Sequence, residues 1–290
     1  MKRRFTFFLG ALVWAAMPTA LAQTGVLGFP KTVEAGSAFS IQTSGTGAAV
    51  LYIVGPGQVL RRNVRVGEPE LFAPGDLHNA GHYLAVLVSG SSTENGAFDV
   101  TPAQQPSTLS FLAKPSRVAV DSRDGISGVV YVFDTFQNLV LAPTQVSFQL
   151  SAVAGAAQTR KVLTHNGVAW TKMNSAAKEG SGQFVAQAGS ATGTRVIQQV
   201  PGEPCGLRMS AKPSGQRLAV QTDPVRDCSG NVVPDGTIVT FTETYNGGES
   251  TVDAPLKQGV ARAEMPAYNG AKISVATGVV LGNEIRWGRE

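Results

Sequence analysis

Two stretches of this chain fit one template. Asp134 to Phe148 reads DTFQNLVLAPTQVSF, and Asp227 to Phe241 reads DCSGNVVPDGTIVTF. In each, an Asp is followed four residues later by an Asn, and eight residues after that by Val-x-Phe. The match runs on in both directions. Upstream, Ala113-Lys114-Pro115-Ser116 corresponds to Ala211-Lys212-Pro213-Ser214. Downstream, Gly167-Val168-Ala169 corresponds to Gly259-Val260-Ala261, Met173 to Met265, and Val185-Ala186 to Val275-Ala276. The separation shrinks along the chain, from 98 residues at the Ala-Lys-Pro-Ser motif to 90 at the Val-Ala pair. A colinear series with small deletions is the mark of a duplicated domain. A period near 90 residues is too long for a solenoid repeat and suits one small all-β domain per copy.

The template has a physical reading. Gly128-Val129-Val130-Tyr131-Val132-Phe133 is β-branched and aromatic, which predicts a strand running into Asp134. Asp134 with Asn138, and Asp227 with Asn231, then hold a turn by bonding nearby backbone, and Asn tolerates a left-handed conformation. Val146-x-Phe148 and Val239-x-Phe241 place two apolar side chains on one face of the next strand. On this reading the four polar residues are structural turn residues between core strands.

The pattern resembles the bacterial Ig-like domains of invasin and intimin. In those domains a strand ends in Asp, a Gly-Asn turn follows, and later strands carry Val-x-Phe and Gly-Val-Ala. The last copy keeps Gly230-Asn231, whereas the earlier copy has Gln137 where the Gly is expected. The resemblance covers residues from about 106 to the end and implies β-sandwiches in an extracytoplasmic protein. Domains of this kind serve as stalks, spacers or binding modules, so the likeness assigns no single function.

Residues 24–101 form a more divergent unit. Val26–Phe29, Ala38–Thr43, Val50–Val54 and Val59–Val66 are predicted strands, a turn is expected at Gly55-Pro56-Gly57, and Phe98-Asp99-Val100 closes the unit. The stretch Asn79-Ala80-Gly81-His82-Tyr83 resembles the tyrosine corner of Ig-like sandwiches, with Tyr83 bonding back to upstream backbone. The expected organisation is therefore all-β: three tandem immunoglobulin-like β-sandwich domains after a signal peptide. The boundaries fall at 1–22 for the signal, then 24–101, 106–200 and 205–290. Proline-bearing linkers lie at Pro102–Pro106 and Pro201–Pro204.

The signal reading rests on Lys2-Arg3-Arg4, a short apolar run from Phe5 to Met17, and Ala20-Leu21-Ala22 as a cleavage site. The alternative, a membrane anchor, needs roughly 20 apolar residues, more than this run offers. No later run is long enough either, so no membrane span is expected in the mature chain. Cleavage would remove three cationic residues and no acid, taking the formal charge from +4 to +1. That leaves no concentrated basic face, and nucleic-acid binding is not expected.

Export permits a disulfide. Cys205 and Cys228 are the two cysteines, and both fall at one end of an antiparallel pair of predicted strands, Leu207–Ala211 and Leu218–Gln221. A bond between them is expected to stabilise the last domain by about 3 kcal/mol. The alternative, a metal-binding or catalytic thiol pair, lacks neighbouring His or Cys.

Other candidates are weaker. His78 and His82 could ligate a metal if helical, but Gly81 argues against a helix. Arg61, Arg62 and Arg65 read as a polyanion site or as the solvated face of a strand. Asp121 to Gly125, together with Asp134, could contribute to a calcium site at a domain junction, although the spacing is not that of an EF-hand. Trp170 is expected to pack within its strand. No catalytic motif is present: no Gly-x-Ser-x-Gly, no HExxH, no phosphate-binding glycine loop and no Cys-x-x-Cys.

The expectation is a non-enzymatic secreted or periplasmic interaction, adhesion or spacer protein. It needs no cofactor, and its partner is an envelope or surface protein, or a polysaccharide. The competing expectation is a carbohydrate-binding or enzyme-accessory module that would use Tyr52, Tyr245, Tyr268 or Trp287. A two-sandwich pilus-type chaperone fits the three expected domains poorly.

Overall fold

The computed structural model describes residues 26–152 and 155–288. The expected signal segment lies outside the described residues. Among the described residues all regular structure is β, in three sandwiches of immunoglobulin-like plan. By compactness the chain divides into two units, one ending at Thr101 and one spanning Pro102–Glu290. The second unit holds two separate hydrophobic cores.

The first sandwich is built from β1 (Val26–Gly28), β2 (Thr32–Glu34), β3 (Phe39–Ser44), β4 (Gly47–Gly55), β5 (Gln58–Val66), β6 (Glu70–Phe72), β7 (Gly81–Ser89) and β8 (Ser92–Thr101). One sheet has the order β1-β3-β6 and faces another of order β2-β8-β7-β4-β5. Period-two alternation decides what goes inside. In β7, Tyr83, Ala85 and Leu87 are buried while the residues between them are not. The core is aromatic at its centre: Phe39 stacks on Phe72 at 4.5 Å between ring centroids, and Phe98 packs beside Phe39 and Tyr83.

The second sandwich uses β9 (Thr108–Lys114), β10 (Arg117–Ala119), β11 (Ile126–Phe133), β12 (Gln145–Ser151), β13 (Gln158–Leu163), β14 (Val168–Met173), β15 (Gly180–Ala188) and β16 (Ala191–Val200). Its sheets run β14-β11-β9 and β10-β16-β15-β12-β13. This repeats the first plan, including a short strand, β10, lying parallel to the last strand, as β2 does in the first sandwich. Phe111, Phe148 and Phe184 cluster in the core, with Phe111 edge-on to Phe184 at 5.1 Å.

The third sandwich comprises β17 (Met209–Ser214), β18 (Arg217–Thr222), β19 (Ile238–Tyr245), β20 (Gly248–Pro255), β21 (Arg262–Pro266), β22 (Lys272–Thr277), β23 (Val280–Leu281) and β24 (Ile285–Arg286). The sheets are β17-β18-β21 and β20-β19-β22-β23, with β24 also on β22. The Val-x-Phe pairs behave as the alternation requires: Val146, Phe148, Val239 and Phe241 are fully buried. The strand expected at Leu207–Ala211 begins at Met209 instead. The Asn283 side chain takes over there, accepting from Met209 N–H at 2.7 Å and donating back to its carbonyl.

Candidate functional site at the sandwich junction

The Asp-Asn turns are built alike in both repeats. The Asp134 carboxylate accepts from the backbone N–H groups of Phe136 and Asn138, each at 2.8 Å, and from Asn138 Nδ2 at 3.0 Å. The Asp227 carboxylate accepts from Ser229 N–H at 2.9 Å, Asn231 N–H at 2.8 Å and Asn231 Nδ2 at 3.0 Å. In both copies the Asp N–H donates to the Asn carbonyl at 2.9 Å. The penultimate turn residue is left-handed in each, Gln137 at φ 66° and Gly230 at φ 78°. The Gly expected from the resemblance is thus a backbone requirement, which Gln137 meets at a steric cost.

Each Asp also reaches beyond its own turn. Asp134 Oδ2 accepts from Ala103 N–H at 2.9 Å, and Asp227 Oδ2 accepts from Gly202 N–H at 2.9 Å. Both donors belong to the linkers read from the sequence. One side chain therefore ties the turn to the segment that enters its sandwich. Both carboxylates are buried as a result. For Asp227, burial pushes the pKa up, but the donors from Asn231, Gly202 and Ser229 outweigh it and hold the carboxyl below the ordinary range.

At the second of these turns the bonds cross between sandwiches. Asn231 Nδ2 donates to Ala177 O at 2.9 Å, and Asn231 Oδ1 accepts from Glu179 N–H at 3.3 Å. Lys178 Nζ donates to Ser229 O at 2.9 Å, and Ser229 Oγ donates to Asp121 Oδ2. Residues 177–179 precede β15 and Asp121 follows β10, so the turn of the third sandwich sits against one end of the second. The disulfide Cys205–Cys228 lies at the same place, joining the start of the third sandwich to its turn. Cys205 N–H also donates to Arg226 O at 3.0 Å.

Sequence reasoning read these turns as internal and missed the junction. The available signal was that the Asn recurs in both copies while the residues around it change. Tyr83 is fully buried, with its hydroxyl 2.8 Å from Asn79 O and 2.9 Å from Gln58 Oε1.

Several other expectations are redirected. Asp121 and Asp134 stand at opposite ends of the second sandwich, separated by the length of β11, so they cannot share one ion. Among the described residues, no group of three or more His, Cys, Asp or Glu is placed to hold a metal. His82 Nδ1 lies 2.9 Å from Asp99 Oδ1, and His78 Nδ1 lies 3.0 Å from Gln58 Nε2. Arg62 is engaged inside its own sandwich, 2.7 Å from Asp76 Oδ2 and over the Phe72 ring at 5.4 Å. Trp170 does not pack inward: it is 63% exposed, because β14 presents alternate residues and Ala169 and Thr171 take the inner face. Tyr52 and Trp287 are half-buried, whereas Tyr245 and Tyr268 are brought together as a stacked pair.

No family model matches the chain, and neither does any curated protein. Similar solved structures include the FN1–FN3 domains of chicken CNTN1, at 13% identity and TM-score 0.38, covering 90% of this chain and 95% of that one. A tetra-tandem repeat from the extending region of a large adhesion protein matches at 13% identity and TM-score 0.35, over 91% and 73%. Invasin, a bacterial integrin-binding protein, matches at 8% identity and TM-score 0.45, over 89% of this chain and 57% of its own.

Proposed function

We propose that this is an exported, non-enzymatic interaction or spacer protein, in which the second and third sandwiches act as one fixed element that sets the spacing of binding surfaces. The observation that supports it is the Asp227–Asn231 turn, whose side chains bond the linker and the preceding sandwich together. A freely jointed string of domains has no use for a buried asparagine bonded across a junction, because the sequence could leave that group in water at no cost. Export is proposed from the charged start, apolar run and Ala20-Leu21-Ala22 site, and the disulfide suits an oxidising compartment. Mass spectrometry of the protein from fractionated cells tests the compartment: a periplasmic or released chain beginning at Gln23 is expected, and a cytoplasmic chain beginning at Met1 would overturn it. Cross-linking intact cells through a tag on the chain tests the role. A recurrent envelope or surface protein is the expected partner.

A second reading, polysaccharide binding, is favoured by one observation. Exposed Trp170 lies beside Lys161, Lys172 and Arg160, the last 3.9 Å from Asp124, in an open depression of about 530 Å³ on the second sandwich. An exposed indole with a net positive surround suits an acidic glycan. Retention of the protein on an immobilised acidic polysaccharide, reduced by Trp170→Ala, is the outcome that supports this reading. Equal retention of the variant and the parent counts against it.

A further inference from the structure

At the end of the third sandwich away from the Asp227 turn, β19 finishes at Tyr245 and turns back into β20 through Asn246-Gly247. The Tyr245 ring stacks on Tyr268, from the loop between β21 and β22, with centroids 4.8 Å apart and planes 8° off parallel. The rings are 37% and 49% exposed, so they are open to a ligand. Glu243, Tyr245, Gly248, Glu249, Ser250 and Tyr268 line a pocket of about 330 Å³.

Glu243 is the anomaly. It lies on the same face of β19 as Val239 and Phe241, which is the core face, and it is only 2% exposed. Burial pushes its carboxyl pKa up, and the Tyr268 backbone N–H offsets this only in part. Its Oε1 has no hydrogen-bond partner among the described residues. The duplication supplies a control. Leu150 stands two residues after Phe148, as Glu243 stands two after Phe241, and Leu150 is buried in the core of the second sandwich. The fold therefore accepts a leucine at this position. A buried carboxylate with an unfilled acceptor costs free energy that the leucine would not. The basic residue opposite the adjacent Thr244, Lys272, shares that residue's face of the sheet and is paired with Glu284 at 2.8 Å.

We propose that this pocket binds an organic cation, an alkylammonium or guanidinium group. Stacking takes one face of each tyrosine ring, and an outer face of the pair is left to attract a cation. Glu243 supplies an acceptor that lacks a donor, and Glu249 adds an acidic side chain at the wall. The pocket lining includes no basic residue, which disfavours an anion. Its volume suits a group the size of a lysine or arginine side chain, not an extended chain. The same chemistry could be presented by a basic side chain of a protein partner or by the amine of an amino sugar.

The test is an NMR titration of the mature three-sandwich protein with lysine and arginine carried as N-acetyl methylamides, and with glucosamine. N-acetylglucosamine and norleucine N-acetyl methylamide serve as neutral controls. Saturable shifts at Tyr245 and Tyr268 with the cations but not the controls are expected, weakened at least tenfold in Glu243→Gln. Tighter binding of the amino-acid amides assigns the cation to a protein partner, and tighter binding of glucosamine assigns it to an amino sugar. No response to any cation, or an equal response to the neutral controls, overturns the proposal. Glu243→Leu, which copies Leu150, is the folding control. It is expected to melt above the parent while losing cation binding. A lower melting temperature would make Glu243 a structural residue and overturn the proposal independently.

Discussion

Asp227→Asn is an isosteric change that removes a charge and turns one acceptor oxygen into a donor. In the parent, Oδ1 accepts from Ser229 N–H and Asn231 N–H, and Oδ2 accepts from Gly202 N–H and Asn231 Nδ2. Whichever way the new amide is turned, its nitrogen faces two N–H donors, one in a buried and one in a part-buried bond. Bonds to a charged acceptor contribute about 1.5–3 kcal/mol each, and the remaining two weaken to neutral strength. Two lost bonds to a charged acceptor put the cost at about 3–5 kcal/mol. In a domain of this size that lowers the midpoint by more than about 10 °C. The assay is thermal and urea unfolding of the mature protein followed by tryptophan fluorescence, because the second sandwich carries Trp170 and the third carries Trp287. The Trp287 transition is expected to move most, since the third sandwich loses its own turn. Asp134→Asn, with the same bonds to Ala103, Phe136 and Asn138, is expected to cost a similar amount in the second sandwich. A change within about 0.5 kcal/mol for Asp227→Asn would refute the reasoning, since that is the range of ordinary surface substitutions.

Other outcomes follow from the same geometry. Gln137→Gly is expected to stabilise the second sandwich by about 1 kcal/mol, because the left-handed backbone at φ 66° strains any residue with a Cβ; a lower midpoint in thermal unfolding would contradict this. The Asp227 carboxyl is held below its unfolded value, so its contribution is fully present above about pH 4 and is lost as pH falls through the lower folded value. Urea titrations from pH 6 to pH 2 are expected to show an acid-induced loss in the parent that is smaller in Asp227→Asn. Cys205→Ser with Cys228→Ser is expected to cost about 3 kcal/mol, read as a lower urea midpoint of the Trp287 transition.

Much of the fold was legible because its strongest signals were doubled. Val-x-Phe, Gly-Val-Ala and the Asp-Asn pair each occur twice in the same order, and alternation fixes which side chains face in. The short strands β2 and β10 were not legible. Three residues carry too little pattern, and both are held by parallel pairing to a strand distant in sequence. Trp170 was misread because an aromatic residue in a strand is usually taken inward, whereas its position in the alternation puts it outside. The junction was hidden for a different reason. Asp and Asn in a turn already have a local explanation, and nothing local reveals that Asp227 Oδ2 and the Asn231 amide have hydrogen-bonding capacity left for Gly202, Ala177 and Glu179. Tyr245 and Tyr268 stand among the candidate sugar-binding aromatics, but their stacking beside a buried Glu243 depends on a loop meeting the end of β19, which spacing does not encode.

The central claim is that the Asp227–Asn231 turn fixes the second sandwich to the third. Backbone ¹⁵N relaxation of the mature protein measures this most directly, by giving the rotational diffusion of residues 106–200 and 205–290 separately. One shared diffusion tensor for both is predicted, splitting into two faster ones in Asn231→Ala. Two independent tensors in the parent protein, or no change in the variant, would contradict it.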